Sequence, residues 1–530
     1  MSAAPSLLAL ERNLALMAGA GAGKTYSLVT MTLHLLAGAR AAGAAVRPSR
    51  LCMLTFTDKA AAEMRSRVRQ RLDGLAQGDT RQDQEVELRA SLARLDKPFP
   101  LPDAWRQLRE ELGGATVGTF HSLCGQLLRR APPAVGIDPN FEVLDELEAS
   151  SLVQDVCERV VLDALEEGDA QVRELCQELG FSGSGFSDGL VAALVSVYRK
   201  LREEGLRAAS AAVGDAAEAR TELEASITDC LRCAPRREAW TAKSEWSRLL
   251  GGLERALNGM TAENFGTGER FPWLRACFKA DGRNHARLSK GAAGPVRELY
   301  WRVFGKSDGS VPRLDDAWAA WRTAPFEATF RTLLGQVETR HDTELSRRNV
   351  FDFTSLLVKS RDLLRDFPEF RRQVQERIGA LLVDEFQDTN RLQLELVLLL
   401  AEQRDGGPRE LAPGADLATA LPLEPAFLCA VGDRKQSIYE FRGADVSVFS
   451  LLANKIEDEG GTRGFLQHNR RSVPGLLSFF NRTFAGVLVA ADAGAPRPFE
   501  VVYVPEEDDL SAVRPLAHRG AGGGAAATGG

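Results

Sequence analysis

The segment Ala18-Gly19-Ala20-Gly21-Ala22-Gly23-Lys24-Thr25 sets small residues, a lysine and a hydroxyl in an order that can grip a phosphate chain. Small side chains let successive backbone N–H groups curl around an oxyanion, Lys24 can reach the β and γ oxygens, and Thr25 can offer its hydroxyl to magnesium. Ala18 stands where the strict G-x-x-x-x-G-K-[ST] pattern has its first glycine. The second half of such a site is LLVDEFQD, residues 381–388, an apolar run that ends in two carboxylates. Asp384 at the strand tip is suited to hold magnesium through its water shell, and Glu385 to orient and deprotonate an attacking water. An isolated acidic pair after a strand is more often a solvated strand end or a helix N-cap. Its pairing with a phosphate loop favours the chemical reading.

These residues need elements to position them, and the first 130 residues supply the pattern. NLALMAG, LCMLTF and ATVGTF are short β-type runs, and TYSLVTMTLHLL, KAAAEMRSRVRQRL and HSLCGQLLRR are the helical runs that follow them. The alternation predicts an α/β fold with a parallel sheet and crossover helices. Two more strands, in GALLVDE and AFLCAVGD, come only after residue 378, so the sheet is interrupted by a mostly helical insertion over 131–345. The Gly-, Pro- and Ala-rich stretch between Glu402 and Pro425 reads as an exposed loop, and the tail AHRGAGGGAAATGG as disordered.

Composition narrows the class. A chain of 530 residues is too long for one core and suggests about three domains. No run is apolar and long enough to span a membrane, and the N-terminus lacks the basic start and cleavage pattern of a secretory signal, so a cytoplasmic protein is expected. Eight cysteines are too few for a disulfide scaffold; Cys230 and Cys233 form a C-x-x-C pair without a second pair or a nearby histidine, which reads as two half-buried thiols rather than a metal or redox site. The net charge of −7 gives no global footprint for nucleic acid, so any such binding must rest on local features.

Further segments sharpen the picture. LLVDEFQDTN and VGDRKQSIYEFRGAD resemble the second and third motifs of superfamily 1 DNA helicases of the UvrD, RecB and AddA type. LTFTDKAAAEMR and VGTFHSLCGQLLRR are similar to the family's DNA-contacting segments, and LQHNRRSVPGLLSFFN to its fourth motif. The resemblance implies a RecA-like P-loop NTPase fold, with residues 1–130 and 346–460 as the first ATP-binding motor domain and 131–345 as the helical insertion subdomain. Residues 461–530 would begin an incomplete second motor domain. It implies ATP and Mg2+ as cofactors and movement 3′ to 5′ on single-stranded DNA and at duplex junctions. In the RecB/AddA branch it implies a RecC- or AddB-like partner in double-strand break processing.

By the same resemblance Gln436 contacts the γ-phosphate and Arg471 reaches it across the domain cleft, a task suited to a planar, fixed charge. Phe56, Thr57, Lys59, Phe120, His121, Tyr439, Phe441 and Arg442 fall in the DNA-facing segments, where aromatic rings stack on bases of any sequence and cations meet phosphates. Three positions depart from the family. No adenine-reading glutamine precedes the phosphate loop, Arg470 replaces an aromatic that stacks on adenine, and Asp58 replaces an Asn. A guanidinium at 470 can still stack on the base. The fifth and sixth motifs and a nuclease segment are not found after about residue 484, so the chain alone is expected to bind ATP weakly and to leave duplex DNA wound. A second reading is a nucleotide- or DNA-binding remnant without motor activity.

Overall fold

The computed structural model describes residues 7–41, 45–79, 83–181, 189–208, 216–233, 301–303, 314–412, 414–437, 445–489 and 502–512. Their strands are β1 (Leu14–Ala18), β2 (Leu51–Thr55), β3 (Thr116–Thr119), β4 (Glu142–Val143), β5 (Val350–Phe351), β6 (Ala380–Val383), β7 (Leu428–Gly432), β8 (Thr462–Leu466), β9 (His468–Asn469) and β10 (Ser511–Ala512). Six of them form one sheet in the order β3-β2-β6-β7-β1-β8, with every pairing parallel. β4 pairs with β5 and β9 with β10, also parallel. The five expected strands are all present.

The strand sequences account for this arrangement. β2, β6 and β7 are buried at every position, as near-continuous apolar runs must be in a sheet covered on both faces. Alternate residues divide between two cores. Ala15, Cys52, Leu54, Leu381, Val383, Leu428 and Ala430 face one core, with Phe120, Leu123 and the apolar residues of 392–401. Leu14, Leu16, Leu51, Met53, Leu382, Cys429 and Val431 face the other, with helices α1 (Lys24–Ala37), α2 (Asp58–Ala76), α3 (Asp83–Arg94) and α4 (Pro102–Glu111). The edge strands β3 and β8 are only partly buried.

Two findings differ from the sequence reading. β8 is hydrogen-bonded to β1 from Leu14↔Thr462 to Ala18↔Leu466, so the sheet runs past residue 460, where a second motor domain was expected to begin. Its sequence, TRGFL, lacks the apolar run that marked the other strands, which an edge position tolerates. The stretch 402–425 is not a plain exposed loop either. Leu417, Leu421 and Leu423 enter the core, and the fully buried Glu402 carboxylate meets the fully buried Arg371 guanidinium at 2.7 Å.

The chain divides into two compact units. One holds the sheet and comprises 1–146, 202–205 and 348–530; the other comprises 147–201 and 206–347. The described part of the second unit contains helices and no strand, among them Ala170–Leu179, Gly189–Glu203, Ala216–Cys233 and most of Leu314–Arg348. Its interior includes Leu190, Leu194, Leu223 and Val337, and the Tyr198 hydroxyl lies 3.1 Å from Nδ1 of His341. Among the described residues no helix is long and apolar enough to cross a membrane, and no group of three or more His, Cys, Asp and Glu side chains is arranged to hold a metal ion.

Candidate nucleotide site and DNA-facing rim

Because all six strands run the same way, their C-terminal ends share one rim of the sheet, the place where open α/β sheets bind ligands. β1 ends at Ala18 and the phosphate loop follows; β2 ends at Thr55, before Phe56; β3 ends at Thr119, before Phe120 and His121. β6 ends at Val383, before Asp384, β7 at Gly432, before the turn bearing Gln436, and β8 at Leu466, before Arg470 and Arg471. Segments scattered from residue 18 to residue 471 thus meet along one edge.

In the loop, Gly21 and Gly23 adopt φ of +76° and +96°, conformations that L side chains rarely take, and Gly23 opens α1 so that Lys24 and Thr25 form its first turn. Ala18 ends β1 and is buried in the core, so it packs the strand tip and offers no loop surface to a phosphate. The Lys24 ammonium contacts the Glu385 carboxylate, joining the two halves of the proposed site. Glu385 has φ of +51°, costly for a non-glycine residue at about 1–3 kcal/mol. Its surroundings hold it there: its N–H donates to Asp384 Oδ1 at 2.9 Å, and Gln387 Nε2 donates to its Oε2 at 2.8 Å.

The carboxylates around Glu385 are destabilised as anions. Burial, reinforced by Glu385, pushes Asp384 up to about 6 against the opposing pull of Lys24. Asp388 is raised to about 6 for the same two reasons, and its Oδ1 has no hydrogen-bond partner among the described residues. Gln387 bridges onward, its Oε1 accepting from the Asp433 N–H at 2.9 Å, and Gln436 Nε2 donates to Asp433 Oδ2 at 2.6 Å. Gln436 is therefore linked to Glu385 through two intervening side chains.

The arginine-bearing turn lies directly on the phosphate loop. Asn469 Nδ2 donates to the Ala20 carbonyl at 2.5 Å, and the Arg470 N–H donates to the Gly21 carbonyl at 3.0 Å. A Cβ on Gly21 would sit 2.8 Å from that of Arg471, so only glycine permits this approach. The Arg470 guanidinium lies over the Tyr26 ring, 4.7 Å from its centroid, a cation–π geometry. Tyr26, Asn469 and Gln387 were not singled out in the sequence. Tyr26 directly follows Thr25, and an aromatic there while position 470 lacks one was the available signal.

The DNA-facing candidates divide. Phe56 is half-buried at the rim and Lys59 is exposed, while the Thr57 hydroxyl caps α2 by accepting from the Ala60 N–H at 3.1 Å. Phe120 is buried at 4% exposure and packs in the core, so its ring is not available to a base; a strand-to-helix junction draws an aromatic inward. His121, half-buried, stands edge-on to Phe353 with centroids 5.1 Å apart, and burial lowers its pKa. Tyr439, Phe441 and Arg442 lie outside the described residues, as does the side chain of Cys233.

The family model of the UvrD/REP helicase N-terminal domain matches residues 3–259 and 312–457, more than half of the chain. The chain belongs to the UvrD/REP helicase family. Within that family it is similar to proteins named as the A-subunit of an ATP-dependent helicase/nuclease. The protein of that name from Desulforudis audaxviator is 28% identical over 91% of this chain and 39% of its own length. That from Geobacillus thermodenitrificans is 26% identical over 90% of this chain and 38% of its own length. That from Moorella thermoacetica is 27% identical, with 91% and 34% covered. The chain thus spans less than two-fifths of the length of these relatives.

Proposed function

We propose that the chain couples ATP binding and hydrolysis to movement on single-stranded DNA, 3′ to 5′, as part of a helicase that processes double-strand breaks. The observation that carries this is the joining of Lys24 to Glu385 on the rim where the DNA-facing segments also emerge. A nucleotide seated on the loop would draw Lys24 onto its β and γ oxygens and release Glu385 to accept a proton at Oε2 from the attacking water. Gln387 fixes the direction of that carboxylate. The raised Asp384 and Asp388 and the unpartnered Asp388 oxygen make an oxygen-rich patch that suits a hard divalent cation. Thr25 and Asp384 would hold Mg2+, which would neutralise charge on the phosphates.

Tyr26, with the Arg470 guanidinium over one face, would offer its ring to the nucleobase, supplying the aromatic surface that position 470 lacks. Arg471 and Gln436 would read the γ-phosphate, and Phe56, Lys59, Tyr439, Phe441 and Arg442 would hold the strand. The sheet through β8 serves as the first motor domain, the helical unit as an accessory subdomain, and the chain after β8 as the opening of the second. The relatives are named as one component of an assembly, which supports a partner of the RecC or AddB kind. Phosphate release from ATP, measured with and without a dT20 oligonucleotide, tests the proposal. Hydrolysis that rises with DNA is expected, and a rate indifferent to DNA would contradict it.

A further inference from the structure

The segment after the fourth motif forms a bridge whose role the site residues do not explain. Pro505–Asp508 is a single acidic turn, Glu506-Glu507-Asp508 after its proline. On one side it grips the turn Arg434–Gln436: the Lys435 ammonium contacts Asp508 Oδ1 and lies 3.3 Å from Asp433 Oδ1, and Arg434 approaches Glu507 at 3.4 Å. Asp508 is buried at 8% exposure, and its other oxygen accepts from the Val504 N–H at 2.8 Å, so it is fixed from both ends.

On its other side the same segment grips the arginine-bearing turn. β10 pairs with β9 in the register Ser511↔His468 and Ala512↔Asn469, the Ser511 N–H donates to the Gln467 carbonyl at 2.8 Å, and Gln467 Nε2 donates to the Glu506 carbonyl at 2.5 Å. Between these anchors the Leu510 methyls reach within 3.2 Å of where a Cβ on Gly19 would stand, at the start of the phosphate loop. Asn481 fastens the middle, donating to the Leu510 carbonyl at 3.1 Å and accepting from its N–H at 3.3 Å.

We infer that Val504–Ala512 is a strap tying the turn of Gln436 to the turn of Arg471, with Lys435 and Asp508 as positioning residues for recognition of the γ-phosphate. The inference rests on the nucleotide reading above. Gln436 and Arg471 lie on turns that follow separate strands, β7 and β8, which flank β1 on its two sides. Without a cross-link each would meet the terminal phosphate independently. Through the strap, displacement of one turn is transmitted to the other, and the triphosphate is distinguished from the diphosphate by both together. Lys435 also screens Asp433, the acceptor that holds Gln436, so the latch and the γ-phosphate sensor share one carboxylate.

The test is a fluorescence titration of residues 1–530 with mant-ADP and mant-AMP-PNP, each with Mg2+. It compares the parent chain with Asp508→Asn, Lys435→Met and Lys435→Arg. Asp508→Asn and Lys435→Met are expected to reduce the preference for triphosphate over diphosphate at least fivefold while mant-ADP affinity stays within twofold; Lys435→Arg keeps the preference. An unchanged preference, or an equal loss of affinity for both nucleotides, would overturn the strap as a γ-phosphate device. A parent chain that binds neither nucleotide overturns the nucleotide reading itself, which separates the two failures.

Discussion

Lys24 and Glu385 are 361 residues apart in the chain, yet their side chains meet. That contact carries two expectations. Lys24→Ala removes nucleotide turnover, because the cation that follows charge on the β and γ phosphates is gone; unchanged phosphate release would contradict the assignment. Glu385→Gln keeps nucleotide binding but slows hydrolysis about a hundredfold or more, the scale expected for loss of a general base, and lost binding would make Glu385 a structural residue instead. Tyr26→Ala should weaken ATP binding by roughly 1–3 kcal/mol, the usual cost of removing an aromatic platform under a base, and leave inorganic tripolyphosphate unaffected. Equal losses in a competition titration would place Tyr26 away from the base. The pairing of Lys24 with Glu385 could be read because lysine after small residues and carboxylates after a strand are what phosphate chemistry would call for. Tyr26 was not, because its meaning depends on a partner, Arg470, near the other end of the chain. Phe120 misled, since a ring in a DNA-facing segment looks the same whether it turns toward the strand or the core.

The parallel sheet turns the local motifs into a site, and its register depends on a residue without catalytic chemistry. Asn13, just before β1, accepts from the Phe427 and Leu428 N–H groups at 3.0 and 2.9 Å and donates to the Glu424 carbonyl at 3.0 Å, pinning the start of β7 beside β1. Asn13→Ala leaves buried backbone groups without partners, at roughly 1–3 kcal/mol each, so a clear loss of stability is expected in urea unfolding. A midpoint equal to that of the parent would show that β7 is held by packing alone. β1, β2, β3, β6 and β7 were readable as apolar runs followed by helical ones. β8 was hidden because an edge strand needs little apolar sequence, and the packed stretch 402–425 was hidden because its few buried leucines sit among Gly, Pro and Ala and form no sustained period.

Over the whole molecule, a chain of net charge −7 must bind a polyanion through a narrow contact, so few phosphates are neutralised. A shallow salt dependence of DNA affinity is therefore expected, with a log–log slope of roughly −2 to −4 set by a handful of cations such as Lys59 and Arg442. A steep slope near −10 would point to a broad basic face elsewhere. The helix Pro474–Val487 leaves Leu476, Phe479, Phe480 and Phe484 substantially exposed. The sequence turns from alternating to mostly helical patterning at about residue 131, whereas the second compact unit begins at Leu147, because β4 and the start of the following helix still belong to the first. In the proposed function one chain links the state of the nucleotide to its grip on DNA. The most direct test of that link is a titration of labelled dT20 with the chain bearing either ADP or AMP-PNP, with Mg2+ present. Dissociation constants that differ at least fivefold between the two states are expected, the lower range of coupling between sites; equal constants in both states would show that nucleotide and DNA bind independently.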